Sequence, residues 1–207
     1  MKAGQFLRFE LALMAGIVAF AVVAPHRFVA LLARPELYVH AKFVHVLAVT
    51  LFFANVVIGT LWETKGLRSG RPEIVRFTYE TVAWLDAFFT VPLILVAVLS
   101  GLMLGTLLGG VFSMGWLVLA LALFVLSGVV WLAFDIPSQY RAKKLSAALP
   151  SGETTIAPEL LRVLRFRRSL NLITIVPLLV VFGLMVHKPE LAFLRPWLAP
   201  SESPGAR

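Results

Sequence analysis

None of the 207 residues is cysteine, so disulfides, thiolate metal sites, haem attached through a Cys-x-x-Cys-His motif and thiol catalysis are all excluded. Charge is scarce as well. Only 14% of the residues are Asp, Glu, Lys or Arg, 59% are hydrophobic, and the mean hydropathy is +0.89. That balance removes the chain from the ordinary soluble range and places it with integral membrane proteins. Acids are scarcer than bases, leaving a formal net charge of +8. In a soluble protein this excess would suggest nucleic acid. Here the bases lie between apolar runs, where they set topology and meet anionic lipid, so no nucleic-acid partner is expected. Also missing are a phosphate-binding glycine loop, a nucleophile elbow, a His-Glu-x-x-His zinc motif and a calcium loop, which lowers the expectation of an enzyme.

What the chain does have is long apolar runs. They predict an all-α bundle in a single membrane domain over residues 1–198. Five transmembrane helices are expected, over residues 6–24, 37–62, 80–108, 116–136 and 170–186, as a four-helix core with an added N-terminal helix. Each run reaches at least the roughly 17 residues that the shortest hydrocarbon-spanning helices need. A cleaved signal peptide ending near Ala24 is the rival for the first run, and Arg8 and Glu10 favour a retained helix. Residues 138–168 are expected as a basic cytoplasmic loop, with two short amphipathic helices on either side of a break at 149–155. Residues 199–207, rich in Ser and Pro, are expected as a disordered tail.

The bases fix an orientation. On one side fall Lys2 and Arg8, then Lys65, Arg68, Arg71 and Arg76, then Arg141, Lys143, Lys144, Arg162, Arg165, Arg167 and Arg168. The other side has Arg27, Arg34, Lys188, Arg195 and Arg207. By the positive-inside rule the N-terminus is cytoplasmic and the C-terminus periplasmic or extracellular, in a bacterial inner membrane. Arg141, Lys143, Lys144, Arg165, Arg167 and Arg168 are the expected contacts to anionic lipid.

Asp86 stands out because an acid near the centre of a span costs roughly 2.5 to 3.5 kcal/mol on the insertion scale. It reads either as a proton or cation relay, or as the group orienting a histidine that holds a cofactor; an internal hydrogen bond or ion pair is the plainer alternative. On the preceding helix His45 shares a face with Phe52, Gly59 and Glu63, with Lys42 and Asn55 on its flanks, and that face should look into protein. His45 and Asp86 are therefore a candidate pair at similar depth. The four histidines and Met103, Met114 and Met185 all map to the outer half, where imidazole and thioether groups suit haem iron or copper; His45, His187 and Met185 are the candidate metal ligands. Ala97, Gly101, Gly105 and Gly109 recur every fourth residue and predict a close helix-packing face. Pro92 should kink its span and free the Phe88 carbonyl. Asp135 is expected to pair with Arg141 or with an arginine of the last loop.

The order of His45, Trp62, Trp84-Leu-Asp86, Thr90-Val-Pro92, Gly101, Gly115-Trp116, Trp131, Pro137-Ser-Gln139 and Met185-Val-His-Lys-Pro189 resembles an uncharacterised family of predicted bacterial integral-membrane proteins of unknown function. The resemblance covers residues 36–189. The four-helix core looks distantly similar to copper-resistance D-type membrane proteins and HemJ-type protoporphyrinogen oxidases, and this implies His45 as a haem or metal ligand. Three kinds of function remain open. As an accessory protein the chain could bind haem b or copper at an interior site around His45 and Asp86, or serve as a purely structural subunit held by the Ala97 to Gly109 face, as a homo-oligomer or beside a membrane partner. Asp86 could serve a small proton- or ion-coupled transporter. A HemJ-like oxidase is the enzymatic alternative.

Overall fold

A computed structural model describes residues 3–32, 34–147 and 155–197, and the described residues are helical almost throughout. The helices are α1 (Ala3–Val23), α2 (Pro25–Leu32), α3 (Tyr38–Arg68), α4 (Pro72–Leu85), α5 (Val91–Leu107), α6 (Gly115–Val130), α7 (Ile136–Ala147) and α8 (Pro158–His187). Proline opens α2, α4 and α8, where its missing N–H has no helical acceptor to lose. Gly109 (φ +102°) and Gly110 (φ +114°) turn the chain between α5 and α6 in a left-handed region that a Cβ disfavours.

Four stretches are long and apolar enough to cross a membrane: Pro35–Arg68, Pro72–Leu107, Gly115–Ala147 and Pro158–His187. The expected four-helix core is therefore present. The extra helix is formed as α1, but it is not one of these four. At 30 to 36 residues and ~1.5 Å per residue the four helices run roughly 45 to 54 Å. A hydrocarbon core needs only ~30 Å. The excess projects at the basic end, which corrects the reading of residues 138–168 as a loop. Residues 138–147 continue the third span and Pro158 begins the fourth, so the two arms are ends of spanning helices. Residues 148–154, with most of the expected break, and the tail at 199–207 lie outside the described residues.

Pro92 and Pro137 explain a feature shared by the second and third spans. A proline within a helix lacks an N–H, and its ring presses on the carbonyl four residues earlier. In both spans a π turn with one extra residue precedes the proline, at Asp86–Thr90 and at Trp131–Asp135. The Val91 N–H reaches the Asp86 carbonyl, and the Ile136 N–H reaches that of Trp131. Where a simple kink at Pro92 was expected, the helix widens. Each π turn holds one acid, Asp86 at its start or Asp135 at its end, and π turns recur at functional sites.

Two apolar cores fill the bundle. At the basic end Val75, Tyr79, Ala142, Leu160, Val163 and Leu164 pack together, and at the other end Trp116, Leu117, Ala120 and Leu184 do so. The most extensively packed pair of helices is α3 with α5. α1 lies against α5 and the Asp86–Thr90 turn.

Candidate functional site

Arg167 organises the site. It belongs to the stripe Leu160, Leu164, Arg167, Asn171 and Leu178 on α8, whose three-and-four spacing brings one face inward. Its side chain is only 1% exposed. From there Nη2 donates to Glu63 Oε1 on α3 at 2.8 Å. Nη1 donates to the Asp135 carbonyl at 2.8 Å and to Ser138 Oγ at 3.1 Å, and lies 3.2 Å from Asp135 Oδ1. The Tyr79 ring lies with its centroid 5.5 Å from the guanidinium, and its hydroxyl donates to Glu63 Oε2 at 3.4 Å. Asn171 donates to the same oxygen at 3.3 Å. The cation is thus held by two carboxylates from different helices, the arrangement that lets a buried arginine persist.

Beside it is the Asp86 carboxylate, within electrostatic reach of Arg167 and Glu63. Oδ2 accepts from Gln139 Nε2 at 2.6 Å and Oδ1 from Thr90 Oγ1 at 3.1 Å. Thr90 in turn accepts from Asn55 at 2.8 Å. This chain of bonds links α3, the first π turn and α7. Gln139 and Ser138 are neighbours in sequence, so one turn of α7 touches both halves of the site. Glu63 and Asp135 therefore pair with a single fixed cation, and Asp86 lies within its electrostatic reach. A further acid, Glu10 on α1, is 5% exposed and keeps one carboxylate oxygen without a hydrogen-bond partner among the described residues.

The sequence expectations meet this geometry unevenly. On the expected inward face of α3, His45, Asn55 and Glu63 turn into protein, whereas Lys42 is exposed and nothing lies within 4 Å of a Cβ on Gly59. Asp86 lies inside, but His45 is not its partner. The imidazole crosses to α5, where Nδ1 lies 3.0 Å from the Ala97 carbonyl and 3.2 Å from Ser100 Oγ. Asp86 is roughly three to four turns of helix from those residues, so the two members of the candidate pair are engaged separately. His187 bonds the Gly183 carbonyl at the end of α8 and Met185 packs on the Trp116 cluster, so neither is tied to His45. Among the described residues no three His, Asp or Glu side chains converge as ligands of one metal ion.

The members of the expected small-residue face lie in different surroundings. Ala97 and Gly105 are buried, and a Cβ on Gly101 would come within 3.0 Å of the His45 ring. Gly109, however, lies beyond α5 in the turn, where its positive φ is what requires glycine. Asp135 pairs with an arginine of the last basic segment, Arg167, while Arg141 takes Glu159 at 2.7 Å. Arg167 is also a correction. Expected at anionic lipid, it is sealed in the bundle because the short helix expected to carry it is the start of a spanning helix, and its face is the buried one.

Four apolar spans that seal an ion-paired polar layer within their bundle are the architecture of a multi-pass integral membrane protein. The chain belongs to the family described as predicted integral membrane protein, DUF2269, whose match covers residues 39–189. This establishes the resemblance to an uncharacterised membrane family, and it leaves α1 outside the matched region. No curated protein and no solved structure matches the chain, so the likeness to copper-resistance D-type and HemJ-type proteins gains no support.

Proposed function

We propose that this protein handles protons within the membrane, as a small proton-coupled transporter or conductor whose working groups are Asp86, Asp135 and Glu63 around Arg167. The observation that carries this reading is the charge count. Two carboxylates pair with one guanidinium and a third, Asp86, lies within its electrostatic reach, so full ionisation would leave two uncompensated negative charges in a buried layer. Such charge costs several kcal/mol per ion and is relieved by binding protons or a cation. Thr90 and Gln139 bond the Asp86 oxygens and Asn55 holds Thr90 in turn, which suits a group that gains and loses a proton without losing its place.

In this reading the protein lies in a bacterial inner membrane with its basic end and N-terminus in the cytoplasm and its C-terminus outside. α1 is a fifth span, and its 21 residues extend about 31 Å. Proteoliposomes holding the purified full chain should dissipate an imposed pH gradient, read by an internal dye. Asp86→Asn should abolish that flux while leaving the protein folded. Flux unchanged by Asp86→Asn rejects the reading.

A second reading is favoured by one observation at His45. The Ala97 carbonyl can only accept, so Nδ1 carries the hydrogen and Nε2 keeps a free lone pair, the form of imidazole that ligates haem iron or copper. Protein from haem-replete cells should then show a Soret band that His45→Ala removes, and that Gly101→Ala perturbs by pushing on the ring. A colourless preparation rejects it.

A further inference from the structure

At the basic end, between α7 and the first turns of α8, a cleft of about 480 Å³ opens on the surface. Its walls change character along the bundle axis. Phe134, Pro137 and Phe166 line its membrane-ward part, and Arg141, Glu159 and Arg162 its outer part. Phe134 and Arg141 are two turns apart on one helix, or roughly 10 Å. Phe166 and Arg162 are one turn apart on the other. Both phenylalanines are about half exposed, at 53% and 49%. Of the two cations, Arg141 is matched by Glu159 at 2.7 Å. Arg162 is exposed and has no ion-pair partner among the described residues. The cleft therefore presents one unmatched positive charge directly above an aromatic wall.

We propose that this cleft binds one anionic phospholipid, its phosphodiester between Arg162 and Arg141 and an acyl chain along Phe134 and Phe166. A single unmatched cation fits the single negative charge of a phosphodiester. A soluble anion would account for the arginines but not for half-exposed phenylalanines beneath them. A neutral lipid would account for the phenylalanines and leave Arg162 unmatched. Arg162 was not among the arginines the sequence assigned to lipid, and Arg167, which was, lies behind this wall bonded to Ser138. The site is independent of the proton reading, since none of its charged groups belongs to the Glu63, Asp86 and Asp135 cluster.

Native mass spectrometry of the full-length protein, released from nanodiscs of phosphatidylglycerol or phosphatidylcholine, tests it. One phosphatidylglycerol should be retained per chain, with phosphatidylcholine retained far less. Arg162→Gln should weaken retention about fivefold, the worth of one basic residue at a membrane surface. Arg165→Gln, exposed on the same helix but outside the cleft, should leave it unchanged. Because the Arg162 side chain is exposed and unpaired, its loss leaves the bundle folded, and a normal melting temperature confirms that. Phe166→Ser should lower retention without affecting inorganic phosphate. Equal retention of the two lipids, full retention by Arg162→Gln, or displacement of the lipid by millimolar inorganic phosphate would each overturn the proposal.

Discussion

Arg167 and Glu63 stand 104 positions apart in the chain, yet their side chains meet at 2.8 Å with exposures of 1% and 4%. The bond joins α8 to α3 across the bundle, and Asp135 on the other side of the guanidinium joins the third span. Breaking a buried pair by removing one partner is costly, because the remaining charge stays in a poorly solvated place. Arg167→Met should therefore lower stability by about 3 to 5 kcal/mol, read as a large fall in the melting temperature of detergent-purified protein. Adding Glu63→Gln and Asp135→Asn to that variant should restore most of the loss, since neutral groups need no cation. If Arg167→Met alone melts with the wild type, the ion pairs do not hold the bundle.

The same three carboxylates make a spectroscopic prediction. With one guanidinium among them, the resting protein should contain protonated carboxyl groups inside the membrane. Infrared spectra of the protein in lipid should show a protonated-carboxyl stretch, and Asp86→Asn and Asp135→Asn should each reduce it. Spectra with no such band, or with a band that neither substitution alters, would place the cluster fully ionised and remove the basis of the proton reading.

Two glycines on α3 should respond oppositely to the same change. A Cβ on Gly66 would sit 2.5 Å from Thr78 Oγ1 on α4, a buried contact between neighbouring helices, whereas nothing lies within 4 Å of a Cβ on Gly59. Gly66→Ala should cost about 1 to 3 kcal/mol through overpacking, and Thr78→Ala in the same chain should recover part of it. Gly59→Ala should stabilise by about 0.5 to 1 kcal/mol, because glycine is the poorer helix former. Thermal melts of the three variants beside the wild type decide the matter.

How much of this was legible in the sequence follows from where the signals were local. Apolar runs report on single helices, so the four spans and the inward face of α3 could be read directly. Asp86 was conspicuous because an acid among leucines contrasts with its neighbours. Arg167 was not, because it lies among Arg162, Arg165 and Arg168, in a short amphipathic helix expected at the membrane surface, and no inward face was assigned to it. Within a spanning helix, the alternation of Leu160, Leu164, Arg167 and Asn171 sets it apart from the other arginines. The pairing of Asp86 with Gln139 rather than His45 had no local signature at all. It depends on the lateral arrangement of the spans and on the extra residue that each π turn inserts before its proline, which turns the following side chains relative to an ideal helix.

The absence of cysteine makes orientation directly measurable, since any introduced thiol is the only one in the chain. Ser69 and Ser113 flank the span Pro72–Leu107 at its two ends, each half-buried in a turn, and Ser→Cys changes little but one atom. If the basic end faces the cytoplasm, as the bias of lysine and arginine requires, Ser113→Cys should react with a membrane-impermeant maleimide in intact spheroplasts. Ser69→Cys should react only after permeabilisation. Labelling in the opposite order would invert the topology, and with it the side from which protons and the cleft between α7 and α8 are reached.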